Sequence, residues 1–213
     1  MLKSDLFDEA FGQGLYGLLA PRASEVVGID LSMTTTTAAR DRYPNLHAVA
    51  ADVRSLPFAD STFDVVVSNS TLDHFPTRDD VLAGLRELTR ILGRRGELLL
   101  TLDNPANPIV AVRNLTPYFW RRVGIVPYPV GMTLGRRGLD RALQQLGFDV
   151  VDEAAFMHCP RVLAVAMAGF LQRHAGPRSQ KRFMAALGAF ERMAKWPTRY
   201  VTGYYVAVKA IKR

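Results

Sequence analysis

From residue 25 to residue 96 the chain alternates short apolar runs of strand length with segments whose apolar residues recur at helical spacing. That is the pattern of a parallel sheet joined by crossover helices, and it sets the fold class as α/β. Strands are expected at residues 25–30, 46–51, 63–68 and 96–102. The unbroken Val65-Val66-Val67 and Leu98-Leu99-Leu100 suit strands covered on both faces. Ser32 and the hydroxyls of Thr34 to Thr37 start a helix that runs toward Tyr43 and ends before Pro44. Asp79 or Asp80 is expected to cap the next helix, whose stripe of Val81, Leu82, Leu85, Leu88, Ile91 and Leu92 stops at Gly93.

Beyond residue 102 the pattern changes. Asn-Pro-Ala-Asn-Pro at 104–108 breaks the chain, and an aromatic, basic segment containing Tyr118, Phe119, Trp120 and Tyr128 runs to Gly131. A helix at 138–146 and a strand at 148–155 follow. Two helices at 162–174 and 177–195 are separated by the breaker Ala175-Gly176-Pro177, and a last strand is expected at 203–211. The expected organisation is one domain over 1–213, with cap-like insertions at about 104–135 and 157–200 overhanging a pocket.

Composition narrows the function classes. The lone Cys159 allows no disulfide framework and no cysteine pair with metal-ligand spacing, which fits a reducing cytoplasm. The acidic residues at the start leave no apolar core for a signal peptide. The longest apolar run, 162–171, is half the roughly 20 residues that span a bilayer as a helix. A net charge of +7 with a pI near 9.8 permits attraction to nucleic acid or anionic lipid. No nucleic-acid recognition motif accompanies the charge, so a solvated basic surface is the simpler reading. Peripheral membrane contact through 162–171 and its neighbours Arg161, Arg173, Arg178, Lys181 and Arg182 is a separate expectation.

Three strand ends carry groups suited to a nucleoside. Val26-Val27-Gly28-Ile29-Asp30 places a carboxylate where a doubly wound sheet opens its crevice, and a carboxylate there accepts both hydroxyls of a ribose. Ala51-Asp52-Val53 follows the next strand and offers a carboxylate to an exocyclic amine. Phe63-Asp64-Val65-Val66-Val67-Ser68-Asn69 ends in polar groups. A helix cap or a turn is the plain alternative for each carboxylate taken alone.

In their order and spacing these segments, with Leu56-Pro57-Phe58 and the run Arg90 to Leu98, resemble the class I S-adenosylmethionine-dependent methyltransferases, in particular the menaquinone and ubiquinone group called methyltransferase type 11. The resemblance covers roughly residues 12–103. It implies a Rossmann-like sheet, mostly parallel, whose last strand returns antiparallel between its neighbours, and S-adenosylmethionine as cofactor. It also implies that Asp30 holds the ribose, Leu31 flanks the adenine, Asp52 and Val53 hold the adenine edge, and Ser68 or Asn69 lies near the methionine moiety. The family's glycine loop is represented only by Gly12-Gln13-Gly14, and few residues remain for the first strand. Either the sequence starts downstream of its native origin or the domain has lost part of its cofactor pocket, and an incomplete start or a divergent loop is the favoured reading; a truncated first strand would leave buried ladder groups unpaired.

Methyl transfer needs an aligned acceptor and, for a hydroxyl or an acidic carbon, a base. Asp73-His74, just after the strand at 63–68, supplies the catalytic candidates, with a structural loop as the alternative; His158 is a lesser one. Asn69-Ser70-Thr71-Leu72 is not the Asn/Asp-Pro-Pro-aromatic motif of amino-methylating nucleic-acid enzymes. The expected reaction is therefore O- or C-methylation of a small apolar or aromatic molecule. The alternatives are a catalytically inactive methyltransferase-like binding or regulatory protein, and a nicotinamide dehydrogenase, which an all-parallel sheet would favour.

Overall fold

The computed structural model describes residues 1–115, 122 and 131–213. Tyr118, Phe119, Trp120 and Tyr128, expected over the pocket, lie outside the described residues. The frame is a seven-stranded sheet in the order β3-β2-β1-β4-β5-β7-β6. Its strands are β1 (Leu2–Ser4), β2 (Val27–Asp30), β3 (His47–Ala50), β4 (Phe63–Asn69), β5 (Leu92–Asp103), β6 (Phe148–Phe156) and β7 (Tyr205–Lys212). β1 to β5 pair in parallel, and β7 runs antiparallel between β5 and β6. The dehydrogenase alternative called for an all-parallel sheet, and this sheet is mixed.

The helices are α1 (Phe7–Phe11), α2 (Tyr16–Leu19), α3 (Met33–Arg42), α4 (Arg78–Ile91), α5 (Pro108–Leu115), α6 (Arg136–Gln145), α7 (Arg161–His174), α8 (Pro177–Phe190) and α9 (Arg199–Thr202). α3 starts as the sequence predicts: Ser32 Oγ accepts from the Thr35 amide at 3.2 Å. α4 differs at both ends. Thr77 caps it, accepting from the Asp80 amide at 3.1 Å, while the Asp80 carboxylate accepts from the Thr77 hydroxyl at 2.5 Å. The reciprocal pair satisfies donors that Asp79 or Asp80 alone leaves open. Gly93 does not stop the helix: the chain turns directly into β5 at Leu92. The register then shifts between the Phe63–Leu92 and Val65–Glu97 pairs before the regular ladder begins. Val81, Leu85, Leu88 and Ile91 from α4 join Leu98, Leu100, Phe148 and Val208 in the main core.

The first strand is short but in place. Leu2, Lys3 and Ser4 pair with Val27, Gly28 and Ile29 on one side and with Val66, Val67 and Ser68 on the other. Over these three residues the ladder positions are filled on both sides. Leu6, directly after it, is fully buried, and Gly28 makes room for it, since a Cβ there would meet Leu6 Cδ2 at 2.5 Å. Among the described residues no helix is long and apolar enough to cross a membrane.

Candidate functional site

Parallel strands end together, so the residues just past β1, β2, β3 and β4 form one rim. Two adjoining cavities open there. The first, about 250 Å3, is lined by Ser4, Asp5, Ile29, Asp30, Leu31, Ala51, Asp52, Val53, Thr71, His74 and Phe75. The second, about 760 Å3, is lined by Asp5, Phe7, Asp8, Asn69, Ser70, His74, Asp103, Phe156, Met157, Arg161 and Tyr205. Asp5 and His74 belong to both and stand where the two meet.

Asp30 and Asp52 both line the first cavity. Asp30 Oδ1 accepts from the Ser32 amide at 2.8 Å and Oδ2 from the Leu6 amide at 3.0 Å. Each oxygen has two lone-pair directions, so each keeps capacity for one further donor. Asp52 is gripped by Arg54, whose Nη2 donates to Oδ2 at 2.7 Å and whose amide donates to Oδ1 at 2.8 Å. The Arg54 hydrogen bonds hold the Asp52 carboxyl below the usual carboxylate range against a weaker opposing effect of burial. Arg54 also donates to Asp80 at 2.7 Å and lies 4.7 Å over the Phe75 ring, so a cation braces this wall. Ile29, Leu31, Ala51 and Val53 add apolar wall beside the polar Ser4, Asp5, Thr71 and His74, and Leu31 stands 73% exposed at the rim.

The second cavity rests on strained backbone and a buried charged network. Asp5, Ser70 and Met157 all line it with positive φ (66°, 50° and 58°), a region that non-glycine residues enter at a cost and that concentrates at functional sites. Beneath it Asp73 is buried: its Oδ2 accepts from Ser70 Oγ at 2.9 Å and from the Asp103 amide at 2.8 Å, while Oδ1 has no hydrogen-bond partner among the described residues. Burial, and next the charge of Asp103, push the Asp73 carboxyl up. Arg113 Nη2 donates to Asp103 Oδ2 at 2.6 Å, and its Nη1 donates to the Tyr204 hydroxyl at 3.0 Å. Burial likewise raises the Asp5 carboxyl, partly offset by the Phe7 amide that donates to it.

Of the residues picked from sequence, Asp30, Leu31, Asp52 and Val53 meet in the first cavity, Asn69 in the second, and His74 at the junction. Ser68 lies beneath the floor, fully buried and accepting from Ser4 Oγ at 3.0 Å. Asp73 faces the interior and lines neither cavity. His158 is buried as well, with Nδ1 2.8 Å from Thr202 Oγ1 and Nε2 3.1 Å from the Ala155 carbonyl.

Gly12 and Gly14 also stand away from both cavities. α1 separates them from the end of β1, and a side chain at Gly14 would overlap the Glu9 carboxyl group. Glu9 is fully buried, accepting from Lys3 Nζ at 2.7 Å and from the Tyr16 amide at 3.1 Å. The amides nearest the end of β1 are engaged too, Leu6 on Asp30 and Phe7 on Asp5. Sequence reading missed Asp5, because a three-residue strand containing lysine has no period to mark the residue after it.

Comparison with known proteins agrees with this frame. Residues 8–100 match the methyltransferase domain family. A probable S-adenosylmethionine-dependent methyltransferase of Mycobacterium tuberculosis is 28% identical over 195 residues, 91% of this chain and 63% of the relative. A demethylmenaquinone methyltransferase of Corynebacterium kroppenstedtii is 37% identical over 94 residues, 44% of this chain and 38% of the relative. The chain thus spans less than two thirds of the length of either. The crystal structure of an S-adenosylmethionine-dependent methyltransferase from Mesorhizobium loti superposes with a TM-score of 0.64 at 18% identity, covering 99% of this chain and 89% of that one. The family likeness and the sheet read from the ordered motifs are borne out.

Proposed function

We propose that this chain, which carries a methyltransferase domain over residues 8–100, binds S-adenosylmethionine across the two cavities and transfers its methyl group to a small apolar or aromatic molecule. The observation that carries the reading is that two acids, Asp30 and Asp52, line one cavity at the ends of β2 and β3. Asp30, with a free lone pair on each oxygen, suits the two hydroxyls of a ribose. Leu31, Val53 and Phe75 offer apolar surface to an adenine, and Asp52 stands at its edge. Asp5, between the cavities, suits the α-ammonium of a methionine moiety.

When bound, this cofactor supplies an electrophilic methyl group on a sulfonium. The chain's own part is alignment and proton removal. Phe7, Phe156 and Tyr205 give the second cavity aromatic walls for an acceptor, and Asn69 stands on its floor. His74, exposed and shared by both cavities, takes the proton from an acceptor hydroxyl or acidic carbon. Asp73, hydrogen-bonded to Ser70 and the Asp103 amide, acts as a positioning residue for the loop that carries His74. The lone Cys159 suits a reducing compartment and supports a cytoplasmic location on this reading.

A second reading rests on the loop after β1. The buried Lys3–Glu9 pair and the engaged Leu6 and Phe7 amides take the place of a glycine-rich turn. A binding or regulatory protein that holds the nucleoside without turning it over fits that feature. Calorimetry of the full chain with S-adenosylmethionine and S-adenosylhomocysteine, followed by transfer of a labelled methyl group to phenols and quinols, tests both. Binding with transfer supports the first reading and binding without transfer the second. A folded protein that binds neither compound overturns both.

A further inference from the structure

The excess charge of this protein sits in one place. Between Arg161 and Tyr200 stand eight arginines and lysines against a single acid, Glu191, a net +7. The whole chain is also +7, so the remaining residues balance, nineteen basic against nineteen acidic. The same segment holds α7 and α8, which pack on each other as a hairpin. None of the described residues of these two helices is buried.

What the hairpin shows to solvent is apolar as well as basic. Leu163, Val165 and Phe170 on α7, Met184 on α8 and Trp196 just beyond are each more than half exposed. Large aliphatic and aromatic side chains left in water are stabilised by any apolar phase they can enter. Arginine and lysine beside them select a phase with an anionic boundary. A second copy of the chain brings the same concentrated positive charge and is repelled. A nucleic acid uses the basic residues and leaves Leu163, Phe170 and Met184 without a partner.

We propose that the α7–α8 hairpin docks on an anionic membrane surface, its apolar side chains at the acyl boundary and its basic side chains among the headgroups. The hairpin springs from the rim of the larger cavity, which Phe156, Met157 and Arg161 help to line. Docking therefore sets the mouth of that cavity beside the lipid. The inference stands apart from methyl transfer and holds whether or not the cofactor is turned over.

Flotation of the full chain with vesicles tests it. Binding is expected to phosphatidylcholine vesicles containing phosphatidylglycerol and not to phosphatidylcholine alone, and it weakens as salt rises, because screening shortens the reach of the charges. Phe170→Asp, and separately the triple variant Arg178→Glu, Lys181→Glu and Arg182→Glu, each lower the partition coefficient at least about tenfold. Circular dichroism matching the parent shows that these exposed changes leave the fold intact. Three results overturn the proposal: no binding to the anionic vesicles, equal binding to both kinds, or variants that fold and bind like the parent. Self-association abolished by Phe170→Asp without vesicle binding assigns the face to a second copy, and salt-sensitive binding of a duplex oligonucleotide without vesicle binding assigns it to nucleic acid; either outcome also overturns it.

Discussion

The two cavities at the ends of the strands are built by different means. The smaller is assembled from regular strand ends: Asp30 and Asp52 follow β2 and β3, and their neighbours Ile29 and Val53 belong to the main core. The larger hangs on turns held at positive φ and on a network in which Asp73, Asp103, Arg113 and Tyr204 are buried together. A carboxylate at the end of a strand inherits its position from the sheet. A buried acid beside another acid depends on one arginine, so the two cavities differ in what a single substitution can undo.

The largest effect falls on the network side. Arg113→Met leaves Asp103 buried and unpaired beside Asp73, at a cost of roughly 3–5 kcal/mol. Urea unfolding is expected to show a loss of that size, and little loss would mean that the network does not support the larger cavity. On the strand side Asp30→Ala removes an acceptor from the Leu6 and Ser32 amides, lowering stability by about 2–3 kcal/mol. It is also expected to weaken S-adenosylhomocysteine binding at least about 100-fold by calorimetry, two charge-assisted hydrogen bonds being lost. Asp30→Asn keeps one of the two acceptor oxygens, so it is expected to cost less stability than Asp30→Ala while still weakening the ligand.

A pH titration sharpens the contrast. Because the folded state holds the Asp73 carboxyl above its unfolded value, that group favours folding most below the unfolded pKa. Its contribution is lost as pH rises through the folded pKa. Asp73→Asn is therefore expected to flatten this part of the stability–pH curve and to raise Tm at neutral pH, measured by thermal unfolding across the acid range. An unchanged curve would mean that Asp73 carries no buried charge.

The smallest effect is expected at Asp52, half-open and gripped by Arg54. Asp52→Asn lowers cofactor affinity by less than about tenfold and changes stability by no more than about 1 kcal/mol, as exposed pairs do. A loss as large as that at Asp30 would erase the ranking within the smaller cavity.

How much of this was legible in the sequence follows the same division. Strands at 25–30, 46–51 and 63–68 stood out because buried parallel strands need unbroken apolar runs, and Asp30, Asp52 and Asn69, at or just past the ends of those runs, line the cavities while Ser68 stays beneath. β1 carries no such signal. Lys3 looks foreign to a central strand until its partner Glu9, six residues on and fully buried, is seen beneath it. Gly12 and Gly14 drew attention as the remnant of the family's glycine loop, whereas the space near β1 is shaped by Asp5 and Leu6, which no pattern marks. Asp73 and His74 were found as neighbours, but adjacent residues in a turn point opposite ways, one to the core and the other to the rim.

One property of the sheet bears on how such a chain is made. β7 follows every other strand in sequence yet lies between β5 and β6. While the nascent chain emerges from the ribosome, β5 holds an open edge and β6 has no neighbour to receive it, until a segment about 100 residues downstream of β5 arrives. The cavity wall formed by Asp103, Phe156 and Tyr205 draws on all three of these strands, so that pocket closes only once β7 has been made, after the carboxylates of β2 and β3 already have their scaffold.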